Sequence, residues 1–272
     1  MQNKNYPLRT ILWETTLRCN ANCIFCGSRC ICQTSVDELK ADEVISAFRN
    51  IAEETDASQI MVNVTGGEPL VRSDTIEIMK AVHALGFPWG LVTNGMLLTE
   101  QIVSELKAAG MSTISISIDG MQETHDAIRG VRGGFERILE GLQFLQKENF
   151  VETVMITTVV SRKNIAELDE LKSFLITQPI DVWRICPVDE IGRASDEGTM
   201  LLSEKELHQL TGNQNALFNT AIQLAAMIQQ GDGYLLEGCE TLLHLPDLLA
   251  YMLTGERKSE YTIASVTQMF DY

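Results

Sequence analysis

Long apolar segments are absent from this chain of 272 residues. No stretch approaches the roughly 20 consecutive apolar residues that a transmembrane helix needs, and the first residues, MQNKNYP, lack the apolar core of a secretory signal. Basic residues are also scarce, because 21 Lys and Arg stand against 37 Asp and Glu, a formal net charge of −16. The sequence therefore predicts a cytoplasmic protein whose partners are neither membranes nor nucleic acids.

Cysteines are few outside the N-terminal region. Of the seven in the chain, only Cys186 and Cys239 lie beyond residue 32. In a reducing compartment, cysteines indicate metal or redox chemistry before disulfides. Because these two are far apart in the chain, we do not expect them to hold a metal cluster by themselves.

Three cysteines near the N-terminus form a C-x3-C-x2-C pattern, with Cys19, Cys23 and Cys26 following a short apolar run. A structural zinc site normally has four protein ligands, whereas an iron-sulfur cube held by three cysteines keeps one iron open for a small molecule. Two other interpretations remain. The thiols could form a buried helical stripe, or Cys30 could complete a four-thiolate zinc site. Neither Cys30 nor Cys32 is assigned a role.

A second motif ends the next apolar run, where Gly66, Gly67, Glu68 and Pro69 follow one another. The two glycines permit a sharp turn at a strand end and expose backbone groups to a ligand. The carboxylate of Glu68 suits an ammonium group. The pair of motifs therefore predicts a site that binds both a metal cluster and a cationic small molecule.

With Phe25 directly before the third cysteine, these motifs resemble the radical S-adenosylmethionine (SAM) superfamily over residues 8–200. The resemblance implies a [4Fe-4S] cluster on Cys19, Cys23 and Cys26, whose open iron binds the amino and carboxylate groups of SAM. It also implies an enzyme of oxidoreductase type that cleaves SAM reductively to a 5′-deoxyadenosyl radical. An external one-electron reductant of flavodoxin or ferredoxin type is expected.

Short β-rich segments alternate with helical patterns through most of the chain, which is typical of repeated βα units and a parallel sheet. The predicted strands lie near Arg9–Thr16, Gln59–Thr65, Trp89–Thr93, Thr113–Ser117, Thr153–Val160 and Asp181–Cys186. The predicted helices lie near Ala41–Glu54, Asp74–Leu85, Glu100–Ala109, Phe135–Lys147 and Ile165–Leu175. With the resemblance, this order implies an α/β fold, a partial (β/α)6 TIM-like barrel of parallel strands.

The fourth strand alternates Ile114 and Ile116 with Ser115 and Ser117. One face should pack on helices, and the polar face should line a lumen that holds ligand.

The motifs fall at the C-terminal ends of the predicted strands, where active sites of parallel barrels lie. By resemblance, the residues that contact SAM are Phe25, Gly66, Gly67, Glu68, Pro69, Thr93, Asn94, Ser117 and Arg129. Among these, Glu68 would fix the SAM ammonium, and Thr93 and Ser117 would face the sulfonium or ribose. The backbone beside Phe25 would contact the adenine. Considered alone, Asn94 and Asp119 each precede a glycine and could simply form an ordinary turn. No catalytic residue is assigned.

The segments Ser115–Gly120 and His125–Gly130 resemble the SPASM-type branch, which includes peptide and protein maturases with an additional cysteine-rich domain. In that branch Arg129 could pair with the SAM carboxylate, a contact that suits its guanidinium. The alternative is a surface arginine at a helix start. None of the histidines is expected to be a ligand.

Residues 211–272 resemble an interior piece of rhamnulose kinases of the FGGY sugar-kinase family, on the segments Asn215–Leu224, Leu245–Glu256 and Ser259–Ser265. No glycine-rich phosphate loop occurs there, so sugar phosphorylation is not expected. The predicted division is a radical SAM core over residues 1–205 and a mainly helical segment over 206–272. This segment should cover the open side of the barrel or form a homo-oligomer.

These observations favour a radical SAM enzyme that modifies a peptide or protein. One alternative is a small-molecule enzyme of cofactor biosynthesis. The other is a non-catalytic fusion, a zinc-capped module derived from a sugar kinase. Iron with acid-labile sulfide, against zinc alone, distinguishes the enzyme from that module.

Overall fold

The protein contains one open sheet of seven parallel strands that follow one another in chain order. The computed structural model describes residues 8–31, 37–196, 198, 200–212 and 233–236. The strands are β1 (Thr10–Glu14), β2 (Met61–Thr65), β3 (Trp89–Thr93), β4 (Met111–Ser117), β5 (Thr153–Val160), β6 (Val182–Pro187) and β7 (Gly233–Leu236).

Helices connect the successive strands, as parallel pairing requires. They are α1 (Ala41–Glu54), α2 (Thr75–Ala84), α3 (Glu100–Ala108), α4 (Gln122–Arg129), α5 (Gly134–Glu148), α6 (Leu168–Leu175), α7 (Arg193–Asp196) and α8 (Glu204–Gly212). Their apolar stripes and one face of the sheet form the main hydrophobic core. Among the described residues, none of the helices combines the length and apolar character that crossing a membrane requires.

Strand β4 shows why the two faces of the sheet differ. Ile114 and Ile116 are buried at 1% and 0% exposure, whereas Ser115 and Ser117 are half-buried on the opposite face. The Ser115 hydroxyl lies 2.9 Å from the Thr157 hydroxyl of β5. The predicted polar row is therefore present, and it lies on the face of the sheet turned away from the main core.

The predicted α/β fold and its six strands are confirmed. Helix α4 was not predicted, and neither was β7, which pairs with β6. The predicted helical patterns at Ala216–Gln229 and Pro246–Leu253 lie outside the described residues.

The difference between the faces of β4 can be measured. Ile116→Ala should lower the free energy of unfolding by about 2–5 kcal/mol, because a buried side chain leaves a cavity. Ser115→Ala should lower it by only about 0.5–1.5 kcal/mol, since it loses one hydrogen bond. Urea unfolding of both variants gives the comparison, and equal losses would contradict the assigned faces.

Candidate functional site

A single loop carries the cysteine motif, and it emerges from the C-terminal end of β1. We call residues 15–31 the cysteine loop. Cys19 and Cys23 are buried, each at 7% exposure, and Cys26 is half-buried. Because all strands are parallel, the loops after the other strands emerge at the same edge and surround the cysteine loop.

Every sulphur atom of the C-x3-C-x2-C motif accepts a hydrogen bond from nitrogen. The donors and distances are the Ala21 backbone to Cys19 at 3.4 Å, the Cys30 backbone to Cys26 at 3.4 Å, and Arg129 Nη1 to Cys23 at 3.5 Å. Nitrogen donors directed at sulphur stabilise thiolates and are typical of cysteines that hold iron-sulfur clusters. The residues present therefore fit a cluster.

Burial disfavours the thiolate form of two cysteines in the loop, Cys19 and Cys30. Burial raises the pKa of the Cys19 thiol. Burial and the neighbouring thiols raise the pKa of Cys30 to about 12. A bound metal reverses this, because a coordinating thiol loses its proton.

A single metal ion needs several ligand side chains close together, and the described residues do not provide such a group. In the part of the chain with assigned positions, no three His, Cys, Asp or Glu side chains form a group that could hold one ion. A four-iron cube makes a different demand, because each cysteine binds a separate iron.

The two glycines of the second motif pack against the backbone of the cysteine loop. A Cβ atom on Gly66 would lie 2.5 Å from the Thr16 carbonyl oxygen, and one on Gly67 would lie 2.2 Å from that of Arg18. The close approach allows the Gly67 N–H to donate to Thr16 at 2.7 Å and the Glu68 N–H to donate to Arg18 at 2.9 Å. In this structure the glycines bring the two motifs together.

Glu68 is completely buried and links the ends of β2 and β3. Its carboxylate accepts hydrogen bonds from the Thr93 hydroxyl at 2.8 Å, the Asn94 N–H at 2.7 Å and the Leu70 N–H at 3.2 Å. Burial raises the pKa of Glu68, and these hydrogen bonds oppose the rise. Pro69 begins the 3-10 turn that follows and is also buried. The carboxylate thus positions the rim of the site.

Asn94 extends this link to the cysteines. Its Nδ2 atom donates to Asn20 Oδ1 at 2.6 Å and lies 3.9 Å from Cys19 Sγ. Thr93 is buried at 3% exposure. Ser117 is half-buried at the end of β4, in register with Thr157.

Arg129 does not lie on the surface at a helix start, so that alternative is wrong. It is the last residue of α4 and is 8% exposed. Its Nε donates to Asp119 Oδ2 at 2.5 Å, and its guanidinium lies 5.4 Å from the centre of the Phe25 ring. Burial alone would lower the pKa of Arg129, but the charges of Asp119 and Cys23 outweigh it and raise the pKa.

Residues 13–175, which include both motifs and the strand ends that surround them, match the radical SAM superfamily. The chain belongs to the radical SAM superfamily. This family uses a [4Fe-4S] cluster and SAM, the cofactors that the donor set around the three cysteines fits.

Two relatives show how much of a radical SAM protein this chain represents. The AdoMet-dependent heme synthase of Methanosarcina barkeri is 38% identical over 204 residues, 74% of this chain and 57% of the relative. The PqqA peptide cyclase of Rhizobium meliloti is 29% identical over 201 residues, 74% of this chain and 52% of the relative. The chain thus spans a little over half the length of these relatives.

The fold also matches a solved structure. Streptococcus suis SuiB bound to S-adenosylmethionine superposes with a TM-score of 0.67 at 17% identity, over 95% of this chain and 54% of SuiB. At this identity, the match shows the fold alone.

A segment beyond the matched residues also holds the cysteine loop. Arg193 begins α7, and its guanidinium donates to the carbonyl oxygens of Cys23 at 2.7 Å and Cys30 at 3.1 Å. The Arg193 N–H donates to the Cys26 carbonyl at 3.0 Å. Gly192 precedes it with a φ of 55°, and a Cβ there would lie 2.3 Å from the Cys26 carbonyl oxygen.

The sequence did not predict the contacts of Asp119 and Arg193. Asp119 was interpreted as part of a turn, although it is fully buried and binds Arg129. Arg193 is distant in sequence from the cysteines, and no motif marks it. No sequence pattern marks a charged side chain as wholly or partly buried, whether its partner is near in the chain, as Asp119 is to Arg129, or distant, as Cys23 is from Arg193.

The close packing of Gly67 predicts a loss of stability. Gly67→Ala places a methyl group against backbone, which cannot move aside, and should lower the free energy of unfolding by about 1–3 kcal/mol. Gly27→Ala is the matched control, because its methyl group meets only the side chain of Ile191. Urea unfolding of both proteins measures the difference, and a Gly67 variant as stable as the control would contradict the packing.

The contacts of Arg193 predict a second effect. Arg193→Gln removes two hydrogen bonds to the cysteine loop, each of roughly 1.5–3 kcal/mol for a charged donor, so amide hydrogens of residues 19–30 should exchange at least about a hundredfold faster. Hydrogen exchange followed by mass spectrometry measures this. Arg137→Gln is the control, since the Arg137 guanidinium also donates to backbone carbonyls, those of Gly133 and Arg132, at an exposed position outside the cysteine loop. Equal exchange in the two variants would rule out the role of Arg193.

Proposed function

We propose that this chain binds a [4Fe-4S] cluster through Cys19, Cys23 and Cys26 and cleaves SAM reductively. The observation that carries the proposal is that three cysteines of one loop, at the C-terminal edge of the sheet, each accept a hydrogen bond from nitrogen, two from the loop backbone and one from Arg129 of α4. The cluster and SAM supply the chemistry, a 5′-deoxyadenosyl radical. The chain's own residues bind and orient the cluster and SAM, and they exclude water from the radical.

The residues proposed to form the SAM site are Phe25, Gly66, Gly67, Glu68, Pro69, Thr93, Asn94, Ser117 and Arg129. Glu68 supports this proposal through its charge and place, because a carboxylate beside the cysteine loop favours an ammonium group there. Ser117 supports it as a half-buried hydroxyl on the polar face of the sheet. Thr93 contributes mainly by holding Glu68 in place.

The substrate is proposed to be a peptide, as in the SPASM-type maturases. The PqqA peptide cyclase, 29% identical, supports this assignment. A small-molecule precursor of a cofactor is the second candidate, and the heme synthase favours it with 38% identity. The polar face of β4 and β5, with Ser115 and Thr157, would be available to hydrogen-bond either kind of substrate.

Other parts of the proposal rest on the sequence. The external reductant is a one-electron donor of flavodoxin or ferredoxin type, and a cytoplasmic location and a homo-oligomer stay predictions. So does the division at residue 205, because most of 206–272 lies outside the described residues. The sugar-kinase resemblance of 211–272 likewise stays a prediction.

Anaerobic reconstitution with iron and sulfide, followed by SAM and dithionite, tests the proposed activity. Wild-type protein should contain iron with acid-labile sulfide and should form 5′-deoxyadenosine, quantified by liquid chromatography. With Cys23→Ala, the amount of 5′-deoxyadenosine should fall to that of a control without protein, because a cluster ligand is lost.

Cys30→Ala is the matched control. It keeps the backbone N–H that donates to Cys26, and it should retain both cluster and activity, whereas a four-thiolate zinc site would lose its metal. Bound zinc in place of iron, or a complete cluster that forms no 5′-deoxyadenosine, would contradict the proposed activity. Formation stimulated by a peptide or by a porphyrin precursor would distinguish the two substrate classes.

A further inference from the structure

Arg129 joins the end of β4 to a cluster cysteine through two different atoms of its guanidinium. Nε donates to Asp119 Oδ2 at 2.5 Å, and Nη1 donates to Cys23 Sγ at 3.5 Å. The fork is planar and rigid, so the ion pair with Asp119 sets the direction of the bond to sulphur. Phe25 covers the guanidinium at 5.4 Å.

Asp119 is itself held firmly. Its Oδ1 accepts from the Val159 N–H at 2.9 Å, and its carbonyl accepts from Asn164 Nδ2 at 2.7 Å. Its own N–H donates to His125 Nδ1 at 3.1 Å. Burial lowers the pKa of His125 to about 4, so its imidazole is neutral and able to accept. Asp119 is fully buried, and its position is determined on several sides.

These two side chains place opposite charges next to the proposed cluster. Charges act strongly where water is excluded. Hydrogen bonds to cluster sulphurs and nearby charge are two of the factors that set a reduction potential. Adding an electron makes the cluster more negative, so a cation beside Cys23 favours the reduced state and an anion disfavours it.

We propose that Arg129 and Asp119 form a positioning pair that sets the reduction potential of the cluster, Arg129 raising it and Asp119 lowering it. The proposal rests on the cluster assigned above. It gives Arg129 a role through Cys23 that needs no SAM, beside the predicted contact with the SAM carboxylate.

The test is a redox titration of reconstituted protein without SAM, followed by the electron paramagnetic resonance signal of the reduced cluster. Arg129→Gln should shift the reduction equilibrium roughly tenfold toward the oxidised state, which is about 59 mV more negative for one electron. Asp119→Asn should shift the potential in the opposite direction, because it leaves the arginine charge uncompensated. If the two substitutions acted only by loosening the structure, both would shift the reduction potential in the same direction.

Controls separate charge from damage to the fold. Arg132→Gln makes the same substitution three residues further on, at an exposed position, and should leave the potential unchanged. Arg129→Lys keeps the charge and should give a potential between those of wild type and Arg129→Gln. Iron, sulfide and melting temperature are recorded for each protein.

A wild-type potential in Arg129→Gln at full iron content would overturn the inference. If Arg129→Gln fails to take up iron, the potential of Asp119→Asn provides the test. A value at or below that of wild type would then overturn the inference. Failure of the proposed function looks different, because wild-type protein itself would then bind no cluster or form no 5′-deoxyadenosine.

Discussion

The hydrogen bonding of the cysteine loop is the constraint on which the rest of the site depends. The loop follows β1, but its position is set by residues that follow other strands. The backbone of Gly67 approaches Thr16, Asn94 reaches Asn20, and Arg193 donates to two of its carbonyls. These contacts add to hydrogen bonds within the loop, such as those from the Cys19 N–H to Ile31 and from the Cys26 N–H to Cys23, and together they satisfy its backbone groups. Parallel strands bring the neighbours to one edge.

Buried charge is the second feature of the site. Glu68, Asp119 and Arg129 are all buried, and an isolated charge in such surroundings is strongly unfavourable. Here, Arg129 pairs with Asp119 directly, whereas burial raises the pKa of Glu68 and its hydrogen bonds from Asn94, Thr93 and Leu70 oppose the rise more than the charge of Arg129 does. Replacing one member leaves another without compensation. Arg129 and Asp119 therefore act as one electrostatic unit beside Cys23.

The contacts beyond residue 175 extend the site past the matched part of the chain. Gly192 and Arg193 follow β6 and close over the outside of the cysteine loop, whereas Arg129 reaches Cys23 from the end of α4. Substitutions in either segment should therefore alter the cysteines without changing the sheet. The polar face of β4 and β5 remains partly exposed beside this rim, which suits a substrate held close to a reactive radical.

From the sequence alone, the superfamily, the six core strands and the cysteine motif could be predicted, because each depends on local spacing and on alternation along one strand. The partners of those motifs could not be predicted. Gly66 and Gly67 indicated a ligand-facing turn, yet their closest neighbour is the backbone of Thr16–Arg18. Nothing in the sequence around Arg129 indicated that its side chain is buried. Its contact with Cys23 joins residues far apart in the chain, and only the parallel arrangement of the sheet brings their loops together.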